Sequence, residues 1–176
     1  MEENTMDLKK MTFDLHQKLE SVARLKKLAS GDLSLQEYKE ILIRFHGFLE
    51  PMEAQIDNLM YKNKRLQDLQ KDLIKLDINC AEIPQCKDLP KLYTDENRYA
   101  FIYVMEGSRN GGMFLSKILQ EKLPSAPLHY FYGMGPQTMA YFQELKSSIL
   151  TKDLDQKKLV ESVQECYLKM IKWFEY

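Results

Sequence analysis

Very little in this 176-residue chain is concentrated in one place. There is no block of like charge. Its 25 Lys and Arg are interspersed with 26 Asp and Glu, for a formal net charge of −1. That excludes the polybasic footprint of a nucleic-acid binder and the acidic tail that seeks a basic partner. No apolar run approaches the ~20 residues that cross a bilayer. The opening residues, Met-Glu-Glu-Asn-Thr, are acidic and polar, unlike a secretory leader. The expectation is a cytoplasmic protein with neither membrane nor nucleic acid among its partners. Cysteine is scarce: Cys80, Cys86 and Cys166, an odd number at irregular spacing, make neither a disulfide framework nor a zinc knuckle. Cys80 and Cys86 are expected as free thiols in a loop. No Gly-rich phosphate loop follows a strand, and no Glu-x-x-His pair or persuasive Ser/His/Asp order occurs. Bound nucleotide or flavin domains, a di-iron carboxylate site and a hydrolytic triad are therefore unsupported.

Helical periodicity fills most of the chain, and no alternating stretch makes a convincing strand. A first helix is expected over about Asp7–Ala29, with Leu8, Met11, Leu15, Leu19 and Val22 on one face, broken by Gly31 and Asp32. Ser34 and Glu37 form a capping box for a second helix whose apolar seam runs from Leu35 to Leu59. Pro51 inside it should collide with the carbonyl of Gly47 and kink it. A third helix carries Leu66, Leu69, Leu73 and Leu76, and residues 77–93 read as loop. Thr94 or Asp95 caps a long helix to Leu123, ended by Pro124. Residues 125–135 read as an ordered connection. Helices then span about Gln137–Leu150 and Leu159–Phe174. The fold class is all-α, a compact bundle of roughly six to eight helices in a single domain over 1–176.

Two features are unusual. Gly107, Gly111 and Gly112 interrupt the long helix, each costing roughly 1 kcal/mol relative to alanine. Positions 100, 104, 107, 111, 114 and 118 make an apolar strip, expected to be buried, that lacks side chains at its centre. A flat ligand satisfies such a strip, and so does a neighbouring helix crossing very close; the glycines alone do not choose. The second feature is histidine, of which there are three. His129 is expected at the surface. His16 and His46 flank apolar seams, and each has a glutamate one turn on, Glu20 and Glu50. A carboxylate at that spacing can hold Nδ1 and leave Nε2 for a metal.

Several motifs together resemble one family. Thr12-x-x-Leu-His16-x-x-Leu-Glu20 resembles the proximal-helix motif of biliverdin-producing haem oxygenases, most closely the small soluble bacterial type. Phe45-His-Gly-Phe-Leu-Glu-Pro-Met-Glu53 and Arg65-x-x-x-Leu69-x-x-Asp72-Leu73-x-x-Leu76 are similar to its next two helices. Tyr103-Val-Met-Glu-Gly-Ser-x-x-Gly-Gly112 is similar to its distal-helix signature, and Tyr167–Phe174 to its last helix. The resemblance implies that His16 is the proximal ligand of the haem iron, the only metal ligand from the protein, with Glu20 as its acidic partner. It implies that Gly107 and Gly111 cover the other haem face, with Gly112 beside them, that Tyr103 lies near the haem edge and that Lys9 pairs with a propionate. Lys146 is a further propionate candidate. Ser108 stands where animal members carry an aspartate and joins the distal network that delivers protons. Arg109 is expected at the surface. Haem is then both cofactor and substrate, cleaved with O2 and electrons from an external ferredoxin or reductase to biliverdin, CO and Fe2+. Two alternatives share the architecture: a haem-binding or transport protein that does not cut the ring, and a thiaminase-like enzyme using Cys166.

Overall fold

The computed structural model describes residues 7–62 and 64–175. Its helices are α1 (Leu8–Met11), α2 (Phe13–Val22), α3 (Leu25–Ser30), α4 (Leu35–Glu53), α5 (Leu66–Lys75), α6 (Asp95–Lys122), α7 (His129–Tyr132), α8 (Thr138–Leu150) and α9 (Gln156–Phe174). Two 3-10 turns, Cys80–Glu82 and Gly135–Gln137, sit in the connections, and no strand occurs among the described residues. The all-α expectation holds. Ser34 and Glu37 make the anticipated capping box, and Thr94 makes one with Asn97.

The first helix is not continuous. At Thr12 the hydroxyl turns back to the Leu8 carbonyl at 2.7 Å, a local bond that competes with helix continuation. At Arg24 the backbone takes a left-handed conformation with φ 57°. That conformation costs a residue bearing a Cβ about 1–2 kcal/mol, and Glu40 holds the Arg24 guanidinium at 3.2 Å. Leucine spacing alone could not show these breaks, because it continues in register across them.

The second helix stops at Glu53, six residues before Leu59, the end of the expected seam; Leu59 is exposed. Glu53 explains the stop. Its carboxylate accepts from the backbone N–H of Arg65 at 2.8 Å and of Leu66 at 3.2 Å, so the end of α4 caps the start of α5. In return Lys64 donates to the carbonyls of Glu53 and Ile56, near the C-terminal end of α4.

Pro51 acts through Gly47. Without a proline N–H, the Gly47 carbonyl loses its helical donor, and the N–H of Cys86 supplies the replacement at 2.8 Å. The 77–93 loop is thereby stitched onto α4. A Cβ at Gly47 would collide with the Pro84 carbonyl oxygen and would lie 2.8 Å from Trp173. Glycine at this position is required by close approach on two sides.

The largest helix–helix contact joins α6 and α9. α2 packs on α9 and α3, while α7 and α8 pack on α6. No comparably extensive contact joins α2 to α6; α9 lies against both. This arrangement holds the His16 helix and the glycine helix on a common support.

Overpacking at Gly47 outweighs the helix propensity that alanine adds. Gly47→Ala should lower unfolding free energy by about 1–2 kcal/mol, read as a lower urea midpoint at unchanged slope. An unchanged or higher midpoint would contradict the close approach of Pro84 and Trp173.

Candidate functional site

Aromatic contacts flank both His16 and the glycine helix. The His16 ring lies edge-on to Tyr167 of α9, with centroids 6.0 Å apart. Burial pushes the Tyr167 phenol up, with smaller contributions from Tyr103, Cys166 and Glu20, and its helix α9 packs on both α2 and α6. Tyr103 packs on Phe142 of α8 at 5.6 Å between centroids. Burial raises the Tyr103 phenol too, with a smaller push from Asp7, the N-cap of α1. Phe142 then reaches Gly107: a Cβ there would meet the ring at 3.3 Å. The Lys146 ammonium lies 5.1 Å over the same ring. Tyr103, Gly107 and Lys146 thus meet around Phe142, while His16 has Tyr167 and Glu20 as neighbours.

His16 is 43% exposed at its side chain, and its Nδ1 lies 3.7 Å from the Glu20 carboxylate. That is too long for a direct hydrogen bond, so Glu20 acts as a Coulombic neighbour. The nitrogen turned away from it is Nε2. Lys9 is exposed on α1, a single turn that packs on α2 and α9.

The glycines divide three ways. Gly107 is half-buried under Phe142. Gly111 is exposed, and no atom lies within 4 Å of the place its Cβ would take. Gly112 is buried, its missing Cβ 3.0 Å from the Phe131 carbonyl oxygen. The expected buried strip is therefore corrected. Ala100 and Val104 are core, but the second half of that face opens to solvent at Gly111 and at Phe114, which is 60% exposed. The buried stripe there runs through Met105, Arg109, Gly112, Ser116 and Leu119. Gly112 answers to a close backbone crossing, Gly111 to open space. Apolar side chains are exposed on α1, α2, α6 and α8, at Met11, Phe13, Phe114 and Met139.

Behind the glycines lies a polar cluster that sequence reasoning missed. Arg109, expected at the surface, is 4% exposed, and its Nε pairs with Glu106 at 2.8 Å. The buried Tyr61 hydroxyl donates to the other Glu106 oxygen at 2.5 Å. The only signal in the sequence was the three-residue spacing of Glu106 and Arg109, which is common on solvated faces. Arg65 donates from Nη1 to the Ser108 hydroxyl at 2.5 Å and to the Met105 carbonyl at 3.0 Å. Ser108 gives its own proton to Met105, at 2.8 Å. His129 is half-exposed as expected, but its Nδ1 meets the buried Asp72 at 2.6 Å; Asp72 also accepts from the N–H groups that open α7.

The remaining candidates separate from the site. Cys166 is 1% exposed and burial pushes its thiol up, which removes the nucleophile a thiaminase-like reading requires. His46 is fully buried in α4. Two surface clefts of about 340 and 300 Å³ lie elsewhere, the first lined by Val22, Ile41, Arg44 and Phe174, the second by Asn97, Ser162 and Glu165. No helix among the described residues is long and apolar enough to cross a membrane.

The class is that of an all-helical protein with a half-exposed imidazole on α2 and a glycine-bearing α6, both helices packed on α9. Comparison with known proteins gives that class a family. The sequence profile of the family described as "Heme oxygenase" matches residues 3–175. The chain is 26% identical over 200 residues to "Heme oxygenase 1" of Gallus gallus, an alignment covering 96% of this chain and 67% of that protein. It is 27% identical over 115 residues to "Heme oxygenase" of Xanthomonas campestris pv. campestris (strain 8004), covering 59% of this chain and 67% of the relative. The chain belongs to the haem oxygenase family and is a haem-degrading enzyme.

The buried His46 generates a pH dependence apart from the site. Burial holds its imidazole below the ordinary 6.5, against a smaller upward pull from Glu50. The unfolded chain therefore takes up this proton at a higher pH than the folded one. The associated stability is complete above the unfolded value and is lost as pH falls below it, towards the depressed folded value. The urea midpoint should drop between roughly pH 7 and 5, less steeply in His46→Gln. Parallel profiles for the two proteins would contradict this assignment.

Proposed function

We propose that haem lies between α2 and α6, with Nε2 of His16 as the iron's protein ligand and the main chain at Gly107 and Gly111 against the opposite face. One neutral imidazole suffices for an iron that arrives with four porphyrin nitrogens. The observations that carry this reading are the open space at Gly111 on α6 and the half-exposed imidazole of His16 on α2, two helices that both pack on α9. The exposed Phe114 and Met139 fit an apolar ring better than they fit water.

When bound, haem supplies both the iron that activates O2 and the ring that is opened to biliverdin, with release of CO and Fe2+. The chain's own residues bind, orient and exclude. His16 and Glu20 fix the proximal side. Tyr103, Tyr167 and Phe142 make a dry aromatic wall, and Phe142 bounds the slot over Gly107. Lys9 and Lys146 meet the propionates at the mouth. Gly107, Gly111 and the neighbouring Gly112 keep side chains off the distal face, so that only main chain and small ligands share that space. Ser108 joins the polar network behind it, which holds protons at Ser108, Tyr61 and Arg109. Electrons come from an external donor, a ferredoxin or a reductase, since the chain carries no flavin or nicotinamide motif. The protein acts in the cytoplasm as one domain spanning the chain.

Adding hemin to the purified protein should give a strong Soret band. His16→Ala should shift that band and cut bilin yield by about tenfold or more. An unaltered spectrum and yield would remove His16 from the iron. Gly111→Leu should fold normally, because its side chain has room, but should obstruct the distal face and lower product yield severalfold. Normal turnover in that variant would leave the glycines a packing role only.

A further inference from the structure

We propose that Arg65 is a positioning residue for this reaction. Its buried guanidinium, acting through the Ser108 hydroxyl and the Met105 carbonyl, fixes the main chain of Gly107 and places positive charge behind the distal face. The proposal rests on the assignment of Gly107 and Gly111 to that face.

Arg65 is 3% exposed, with its guanidinium 4.1 Å over the Tyr130 ring. A cation so placed normally has a carboxylate partner, yet among the described residues none pairs with it. The two carboxylates nearest in the cluster are otherwise engaged. Glu53 accepts from the backbone N–H groups of Arg65 and Leu66, and Glu106 takes Arg109 and Tyr61. The Arg65 guanidinium instead delivers two hydrogen bonds to α6, at residues that bracket Gly107: one to Met105 and one to Ser108.

Two consequences follow. First, the glycine stretch lacks the side chains that normally pin a helix, and Arg65 supplies an external clamp from the start of α5. Ser108, donating to Met105 while accepting from Arg65, couples that clamp to the residue after Gly107. Second, in a medium of low dielectric the Arg65 charge favours negative charge developing on the far side of the Gly107 main chain. Neither effect requires Arg65 to touch haem.

The test uses ferric hemin complexes of the wild type, Arg65→Met, Arg65→Lys and Ser108→Ala, with azide as an anionic probe read by optical titration and a thermal midpoint measured beside it. Arg65→Met should weaken azide binding about tenfold while hemin still binds. Arg65→Lys should restore most of the affinity, and Ser108→Ala should fall between. Equal azide affinity in all four proteins, with only the thermal midpoint lowered, would overturn the proposal and leave Arg65 a structural residue. Should Arg65→Met fail to fold, Ser108→Ala decides: unchanged azide affinity there is equally contrary. A wild type that binds no hemin would overturn the haem site itself, an outcome distinct from hemin binding with insensitive azide affinity.

Discussion

Buried polar groups must find partners, and around α5 this requirement organises the half of the molecule behind the glycine helix. Glu53 caps the start of α5, Asp72 within α5 caps the start of α7, and Arg65 at the N-cap of α5 reaches α6. Burial raises the Glu53 carboxyl, and the Arg65 and Leu66 N–H groups oppose that rise by bonding its charged form. Each bond crosses between elements, so none can be exchanged for a local one when a helix shifts. The result is a helix face held from behind by directional contacts, which leaves its front free of packing duties.

The front is organised by apolar contact. Tyr167 of α9 packs on His16, Tyr103 of α6 packs on Phe142, and Phe142 bounds Gly107, while α9 and α6 share the largest helix contact. α9 carries α2 and α6 together, and the place of a side chain at Gly111 lies open. A tetrapyrrole placed there gains apolar contact on its faces and water at its propionate edge.

Much of this was legible in the sequence, in an instructive pattern. The α4, α6 and α9 periodicities and the Ser34 box follow from local rules, and each is present. The breaks at Thr12 and Arg24 were hidden because the leucine register runs through them. The orientation of α6 was hidden for a related reason: a 3-4 spacing through Gly111 and one through Gly112 are equally regular, and only the approach of Phe131 decides which is buried. Arg109 looked like a surface residue because its partner Tyr61 lies 48 positions away in sequence. The interior glycines and the His16–Glu20 spacing were visible in the residues themselves, their haem roles came from a resemblance, and the structure adds Tyr167 against His16 and Phe142 against Gly107.

The most direct measurement is a crystal structure of the hemin complex. The account predicts iron ligated by Nε2 of His16, the porphyrin edge bounded by Phe142, and the Gly107–Gly111 main chain on the opposite face with little rearrangement of α5. Iron ligated by another residue, or a porphyrin seated in the cleft of Val22, Ile41 and Phe174, would contradict it.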